Sequence, residues 1–395
     1  MFERKKKLDL RVRGFFFSYF SFLGVFSPFL SLWLSFRGFS AGEIGVLLSP
    51  MQWARIFGPL VWGSVVDNNS KDFFVPRLLC FLGLISFCFA ISMLFKWSFL
   101  QLFVILCLLN FFLSGLVPIV EMIALQESKR DLGNYGKIRV WGSIGFFISV
   151  VTAGIFLDTL GLVFFPIIIL ALLLLVSLVS FFLPNTKILS QERNFRKSEF
   201  LFTLNNSKFL IASFFMLFAH APLYVLFSLW LDFYGFNKYQ IGYIWAVGVL
   251  AEIIFFINQK KIFRLFRNVN YAWRISFFVV ALRFLLIVVS QGNIVIILIA
   301  QLLHAVTFAL HHSASVILVS DLFPKGAQAR AQSFYTVASY GLGGSFGGIL
   351  AGILWDFFKP ESGFIMAIIA ACIGGLVACS LKLKGSNKQR NQDEK

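Results

Sequence analysis

Nine ionisable side chains interrupt the long apolar runs of this 395-residue chain: Arg55, Glu121, Arg139, His220, Glu252, Arg283, His304, His311 and His312. A charge at the centre of a bilayer costs at least about 2.5–3.5 kcal/mol on insertion scales, so each is expected to face a partner or a water-filled cavity. Their chemistry is that of recognition and proton exchange. Guanidinium groups grip carboxylates, and a carboxyl or imidazole in a tuned environment exchanges a proton near neutrality. His311 and His312 are adjacent, about 100° apart on a helix, unlike the i, i+4 pair of an H-E-x-x-H metal site. Cys80, Cys88, Cys107, Cys372 and Cys379 lie inside apolar runs with no close Cys/His spacing, and read as small apolar fillers rather than a disulfide or metal framework.

Helical spacing groups the charges with other polar side chains. Asn110, Ser114, Pro118 and Glu121 fall at i, i+4, i+8 and i+11, one narrow face. Gln301, His304, Phe308, His311 or His312, and Ser315 do likewise in a later span. Both faces, and His220 beside Pro222, are expected to line a central cavity. Gly341, Gly343, Gly344, Gly347, Gly348 and Gly352 form a small-residue face that suits close helix packing, with a flexible joint as the alternative.

The elements that must position these residues are membrane-spanning helices. Apolar residues make up 58% of the chain, charged ones 13%, and the mean hydropathy is +0.83; soluble chains average about 25% charged. A soluble enzyme, a secreted disulfide scaffold and a DNA-binding domain are excluded. Apolar runs and their breakers place twelve spans near 14–36, 43–66, 76–95, 98–126, 137–157, 162–183, 208–235, 238–258, 271–289, 293–322, 329–356 and 362–383. The first follows a basic stretch, Arg4 to Lys7, but is too long for a secretory signal and is expected to remain as a helix. One long polar connection, Pro184 to Ser207, falls near the middle. The expected domains are a six-helix bundle over 1–190, a linker over 191–207, and a second bundle with its tail over 208–395.

The net charge of +17 follows topology rather than a nucleic-acid partner. Alternating the loops puts 29 Lys and Arg on the side of both termini and the linker, against Arg37, Lys96, Lys238 and Lys359 on the other. The positive-inside rule then makes termini and linker cytoplasmic, in a plasma (inner) membrane.

The halves repeat. Trp33-Leu34-x-Phe36-x-Gly38-Phe39-x-x-x-x-Ile44-Gly45 recurs 197 residues on as Trp230-Leu231-x-Phe233-x-Gly235-Phe236-x-x-x-x-Ile241-Gly242. Gly154-Ile155-Phe156-Leu157-Asp158 is echoed by Gly352-Ile353-Leu354-Trp355-Asp356 at offset 198. Two matches at nearly one offset describe parallel six-helix repeats, the plan of rocking-bundle secondary transporters. The same offset makes Arg55 and Glu252 pseudo-equivalent, so they are placed to meet between the halves, either as a static ion pair or as one that forms in a single access state.

Gly63-Ser64-Val65-Val66-Asp67-Asn68-Asn69-Ser70-Lys71 resembles the cytoplasmic loop signature of the major facilitator superfamily, with Gly63, Asp67 and Lys71 as its gating residues, in which the Asp would hold the neighbouring helix ends in the outward-closed state. Asn68 and Ser70 depart from its usual basic residue and glycine. The run Tyr135-Gly136-Lys137-Ile138-Arg139-Val140-Trp141-Gly142-Ser143, with Glu121 before it, is similar to the oligosaccharide:proton symporters typified by lactose permease. It is closer still to the 3-phenylpropionic acid permease-like branch. Ala219-His220-Ala221, Gly242-Tyr243-x-Trp245, Gly248-Val249-x-Ala251-Glu252 and Leu303-His304-Ala305-x-Thr307-Phe308 extend that resemblance over nearly the whole chain.

The resemblance implies that Glu121 and Arg139 hold substrate, and that Arg283 and His304 belong to a binding and proton-coupling network. Three departures weaken a sugar as cargo: Thr307 replaces the proton-exchanging carboxylate, Val249 precedes Glu252 where the helix carboxylate would stand, and Phe146 replaces the sugar-stacking tryptophan. Arginines for an anion with Phe146 and Trp245 for a ring suit a small aromatic or carboxylic acid. Glu252 or Glu121 is the expected proton carrier, with His304 as runner-up.

The chain is therefore read as an all-α membrane protein of twelve helices in two repeats, a proton-coupled symporter working by alternating access. Its expected partners are a small-molecule substrate, protons and the bilayer, with no cofactor, metal or nucleic acid, and it is expected to act as a monomer. A sugar or nucleoside symporter is the alternative cargo reading; a non-transporting receptor or lipid-handling protein is the alternative of another class. An ATP-driven pump is disfavoured, because the chain has no G-x-x-x-x-G-K-[S/T] loop.

Overall fold

The computed structural model describes residues 2–67, 74–127, 132–183, 203–266, 268–324 and 328–381. Among these, every regular element is helical, and twelve helices are long and apolar enough to cross a membrane. They are α1 (Leu10–Phe36), α2 (Ala41–Val66), α3 (Phe74–Leu94), α4 (Phe99–Leu125), α5 (Gly136–Leu160), α6 (Leu162–Phe181), α7 (Leu204–Phe233), α8 (Lys238–Leu265), α9 (Val269–Ser290), α10 (Ile294–Leu322), α11 (Arg330–Phe357) and α12 (Ser362–Cys379). The protein is a multi-pass membrane protein. The start of α7 lies four residues before the expected 208, because the Thr203 hydroxyl accepts from the Asn206 N–H and caps the helix. Residues 191–202 of the expected linker lie outside the described residues.

The repeat is visible in how helices begin and end. Gly38 and Gly235 have φ of +92° and +82°, the left-handed conformation that glycine takes without a Cβ penalty. Each closes its helix with the same pair of bonds: Phe39 N–H to Leu34 O and Gly38 N–H to Ser35 O, then Phe236 N–H to Leu231 O and Gly235 N–H to Asp232 O. The next helices open on capping boxes, Ser40 with Glu43 and Asn237 with Gln240. Inside each half a buried tryptophan meets a phenylalanine, Trp33 on Phe165 at 5.8 Å and Trp230 on Phe364 at 5.9 Å.

The most interior helices are α1 and α7, where 78% and 67% of the apolar stretch is buried, against 33% in α6. The five cysteines do not fill the core as expected. Cys88, Cys372 and Cys379 are exposed on the outer surface, Cys80 and Cys107 are half-buried, and all are free thiols.

Two glycine seams join the halves at the end away from the linker. In one, α2 lies on α11: a Cβ on Gly45 would sit 2.7 Å from the Gly348 carbonyl oxygen, and one on Gly352 would strike that of Ala41. In the other, α5 lies on α8: a Cβ on Gly154 would sit 2.7 Å from the Lys238 carbonyl oxygen, and one on Gly242 2.5 Å from that of Val150. At the linker end, Gly63 and Gly136 face open space. Gly343 and Gly347 press α11 onto α7 at the Phe214 and Phe218 carbonyls. The Phe218 carbonyl lacks its helical donor because Pro222 has no N–H.

Several helices are irregular in mid-span. α4 is broken at Ser114–Gly115, where Pro118 cannot donate to Ser114. α10 widens to a π-helical segment over Ala305–Leu310, and α11 does so over Val337–Gly343.

Candidate functional site

Between the halves lies a cavity of about 230 Å³ with walls drawn from both repeats. Arg55, Arg139, Arg283, Glu252, Gln301 and His304 are among its charged and polar groups. Phe20, Phe146, Tyr224, Trp245, Phe308 and Tyr340 supply its rings. Of the residues expected there, Arg139, Phe146, Trp245, Arg283, Glu252, His304, Gln301 and Arg55 are brought together.

Arg283 is fully buried, yet no carboxylate among the described residues pairs with it. Its Nε donates to Ala300 O at 3.0 Å, Nη2 to Gln301 Oε1 at 2.9 Å, and Nη1 to Thr307 Oγ1 at 3.2 Å and His304 Nδ1 at 3.0 Å. Because a guanidinium only donates, His304 Nδ1 must accept. The hydrogen of the neutral imidazole is therefore on Nε2, which faces Glu252 Oε2 at 3.7 Å. Thr307 enters this network as an acceptor for Arg283. The His304 ring lies parallel to Phe308 at 5.3 Å, and Phe308 to His312 at 6.2 Å.

The other guanidiniums differ in how far they are satisfied. Arg139 lies over the Phe20 ring at 4.0 Å and Phe16 at 5.4 Å, with Glu121 Oε1 at 3.8 Å from its Nε. Glu121 stands behind Arg139 and is not part of the cavity wall. Arg55 lies over the Tyr340 ring at 5.5 Å and has no carboxylate partner among the described residues. The pairing of Arg55 with Glu252 expected from the repeat is not formed, since Glu252 is turned to His304. Pseudo-equivalence places the two at one depth, not in contact. Trp245 presents its ring to the cavity, its Nε1 donating to Ser228 Oγ at 2.9 Å, and stacks on Tyr224 at 6.5 Å.

Four residues expected to line the cavity do not. The Asn110 amide turns back to Leu106 O at 2.8 Å, because the break in α4 removes the continuous polar face. His220 is buried against Phe284, its Nδ1 on Met216 O at 2.9 Å. His311 closes a polar ring inside the second half. Its Nδ1 meets Ser276 Oγ at 2.8 Å, its Nε2 meets Ser315 Oγ at 3.2 Å, and Trp273 Nε1 donates to Ser315 at 3.0 Å. His312, one residue on, turns instead to the Tyr340 hydroxyl at 3.3 Å, behind the wall. Gly63 faces open space at the linker end, whereas the Asp67 side chain and Lys71 lie outside the described residues.

Tyr224, Tyr340, Gln52 and Ser345 are cavity residues that the spacing argument missed. Tyr224 follows His220 by one turn and Tyr340 opens the glycine run of α11, so each lay beside a recognised signal. The chemistry of the whole is an aromatic-walled chamber with three guanidiniums against one carboxylate, suited to holding a small anion beside a ring.

Known proteins of similar sequence are transporters. The chain is 28% identical over 374 residues to the probable 3-phenylpropionic acid transporter of Escherichia coli strain K12, covering 90% of this chain and 93% of that one. It is 25% identical over 344 residues to the putative nucleoside transporter YegT of the same organism, covering 83% and 80%. The crystal structure of nucleoside transporter NupG has the same fold, with TM-score 0.78 at 18% identity over 95% of this chain and all of that chain. Residues 10–366 match the MFS_1 like family, and the chain belongs to it: this is a twelve-helix membrane transporter of the major facilitator type, not an enzyme.

Proposed function

We propose that this transporter carries a small aromatic carboxylate together with a proton, by rocking residues 1–190 against 208–395 about the central cavity. The observation that carries this reading is the surplus of guanidinium in an aromatic chamber. Arg55 has no carboxylate of its own among the described residues and Arg139 shares one with the wall behind it, so a cargo anion completes the charge balance. Phe146, Trp245 and Tyr224 then meet the ring. Glu252 is the proton carrier. His304 is held as a donor toward it, because its other nitrogen is occupied by Arg283. Arg55 and Arg139 are the other charged groups of the chamber.

Positive loops on the linker side favour a cytoplasmic linker and termini in the inner membrane, with the open end of the cavity facing the cytoplasm. A nucleoside cargo is the second reading, favoured by the YegT relationship and by Gln301, whose buried Nε2 has no hydrogen-bond partner among the described residues. Uptake into proteoliposomes under an imposed pH gradient decides between them, with labelled 3-phenylpropionate, a disaccharide and a nucleoside as probes. Gradient-dependent accumulation of the aromatic acid, lost in Arg139→Ala and shifted to higher cargo concentration in Arg55→Gln, is the expected result. Accumulation of the nucleoside alone, or no response to the gradient, refutes it.

A further inference from the structure

The repeated Gly154–Asp158 and Gly352–Asp356 segments end in carboxylates for which the cavity has no use. Asp356, at the outer end of α11, reaches across to the first turn of α2 in the other half. Its Oδ1 accepts from Ala41 N–H at 3.0 Å, and its Oδ2 accepts from Gly42 N–H at 2.8 Å and from the Ser40 hydroxyl at 2.7 Å. Asp158, at the outer end of α5, does the same for α8 in the opposite direction, its Oδ1 accepting from Lys238 N–H at 3.0 Å.

A helix has four N–H groups in its first turn without internal acceptors. The Ser40 and Glu43 capping box deals locally with the N–H groups of Glu43 and Ser40. It leaves those of Ala41 and Gly42, and these are the two that Asp356 takes. Each carboxylate also sits at the positive end of a helix dipole. The seams make such reach possible: a Cβ on Gly42 would sit 2.7 Å from Asp356 Oδ2, and one on Gly154 2.7 Å from the Lys238 carbonyl oxygen. The Lys238 ammonium is engaged elsewhere, with Asp232 of its own half at 2.8 Å, so the Asp158 contact is to backbone.

We propose that Asp158 and Asp356 are gating residues, two pseudo-equivalent latches that hold the cavity shut at the end away from the linker by capping helices of the opposite half. Opening that end breaks every one of these bonds at once and hands the N–H groups to water. The latch acts on the access equilibrium itself and is independent of what the cavity carries.

The test is a distance measurement across the seam. Spin labels at Phe36→Cys and Phe358→Cys, both exposed at the outer end and in opposite halves, are read by electron–electron double resonance in the full chain. The five native cysteines are changed to serine. The parent is expected to show mainly the short distance. The Asp158→Ala, Asp356→Ala double variant is expected to raise the open-to-closed ratio about tenfold or more, as losing charge-assisted bonds to one state requires. Asp356→Asn removes the charge and one of two working oxygens and is expected to fall between. Asp158→Asn keeps an acceptor for Lys238 and is expected to shift least. A folded double variant with the parental distance distribution overturns the latch. Should it fail to fold, parental distributions in both Asp356→Asn and Ser40→Ala overturn it equally.

Discussion

Replacing Arg283 by methionine separates its role in the fold from its role in transport. The side chain is fully buried and is held by four neutral acceptors, with no carboxylate of the described residues against it. Keeping an arginine at mid-membrane costs about 2.5–3.5 kcal/mol on insertion scales. Hydrogen bonds between membrane helices return about 0.6 kcal/mol each, so four of them nearly offset that cost. Methionine fills a similar volume without a charge, and such replacements of buried ionic groups are commonly neutral or stabilising. The net change in stability is therefore expected to stay within about 1 kcal/mol. Transport is expected to fall by about a hundredfold, the equivalent of a charge-assisted contact of about 3 kcal/mol, because His304 loses the donor that fixes its hydrogen toward Glu252. Tryptophan-fluorescence melting of detergent-purified protein and gradient-driven uptake read the two quantities side by side. A loss of stability beyond about 3 kcal/mol would make Arg283 a strut of the fold, and parental uptake would remove it from the coupling network.

Three further substitutions probe other parts of the molecule. Arg55→Gln is expected to raise KM for a carboxylate cargo at least tenfold, about 1.4 kcal/mol, with little effect on maximal rate; an unchanged KM assigns the anion to Arg139 alone. Gly45→Ala sets a methyl carbon 2.7 Å from the Gly348 carbonyl oxygen. That penalises only the closed outer seam, by about 1–3 kcal/mol, so the same spin-label pair is expected to report more of the open form, and an unmoved ratio would mean that the seam yields. His311→Ala opens the polar ring of Ser276, Ser315 and Trp273 and is expected to lower stability by about 2–4 kcal/mol while KM of the surviving transport holds, since the residue is behind the cavity wall.

The order and extent of the twelve helices were legible because each span is a long apolar run ended by Gly, Pro or charge, a signal carried locally by the chain. Helix faces were less so. Spacing put His304, Phe308 and His311 or His312 on one face; the π-helical turn and the arrival of α9 turn His311 onto Trp273, while His312 reaches the Tyr340 hydroxyl behind the cavity wall. In α4 the regular spacing of Asn110 and Glu121 runs through a break at Ser114–Gly115, so the two do not share a wall. The repeat showed that Asp158 and Asp356 correspond, but their partners are backbone N–H groups of the other half. Backbone donors leave no mark in a residue pattern.

The breaks in α4 and α10 stand at matching places. Shifted by the repeat offset, the π-helical Ala305–Leu310 falls on 108–113, directly before the Ser114–Gly115 break. Both bundles thus carry a weak joint at one depth, where the helical ladder is already interrupted and bending costs least. Gln301 and His304, which hold Arg283, stand directly on the outer side of the α10 joint. A bend there would carry the Arg283 network along with the outer end of the helix, so the level that yields most easily is also the level at which the buried guanidinium is held.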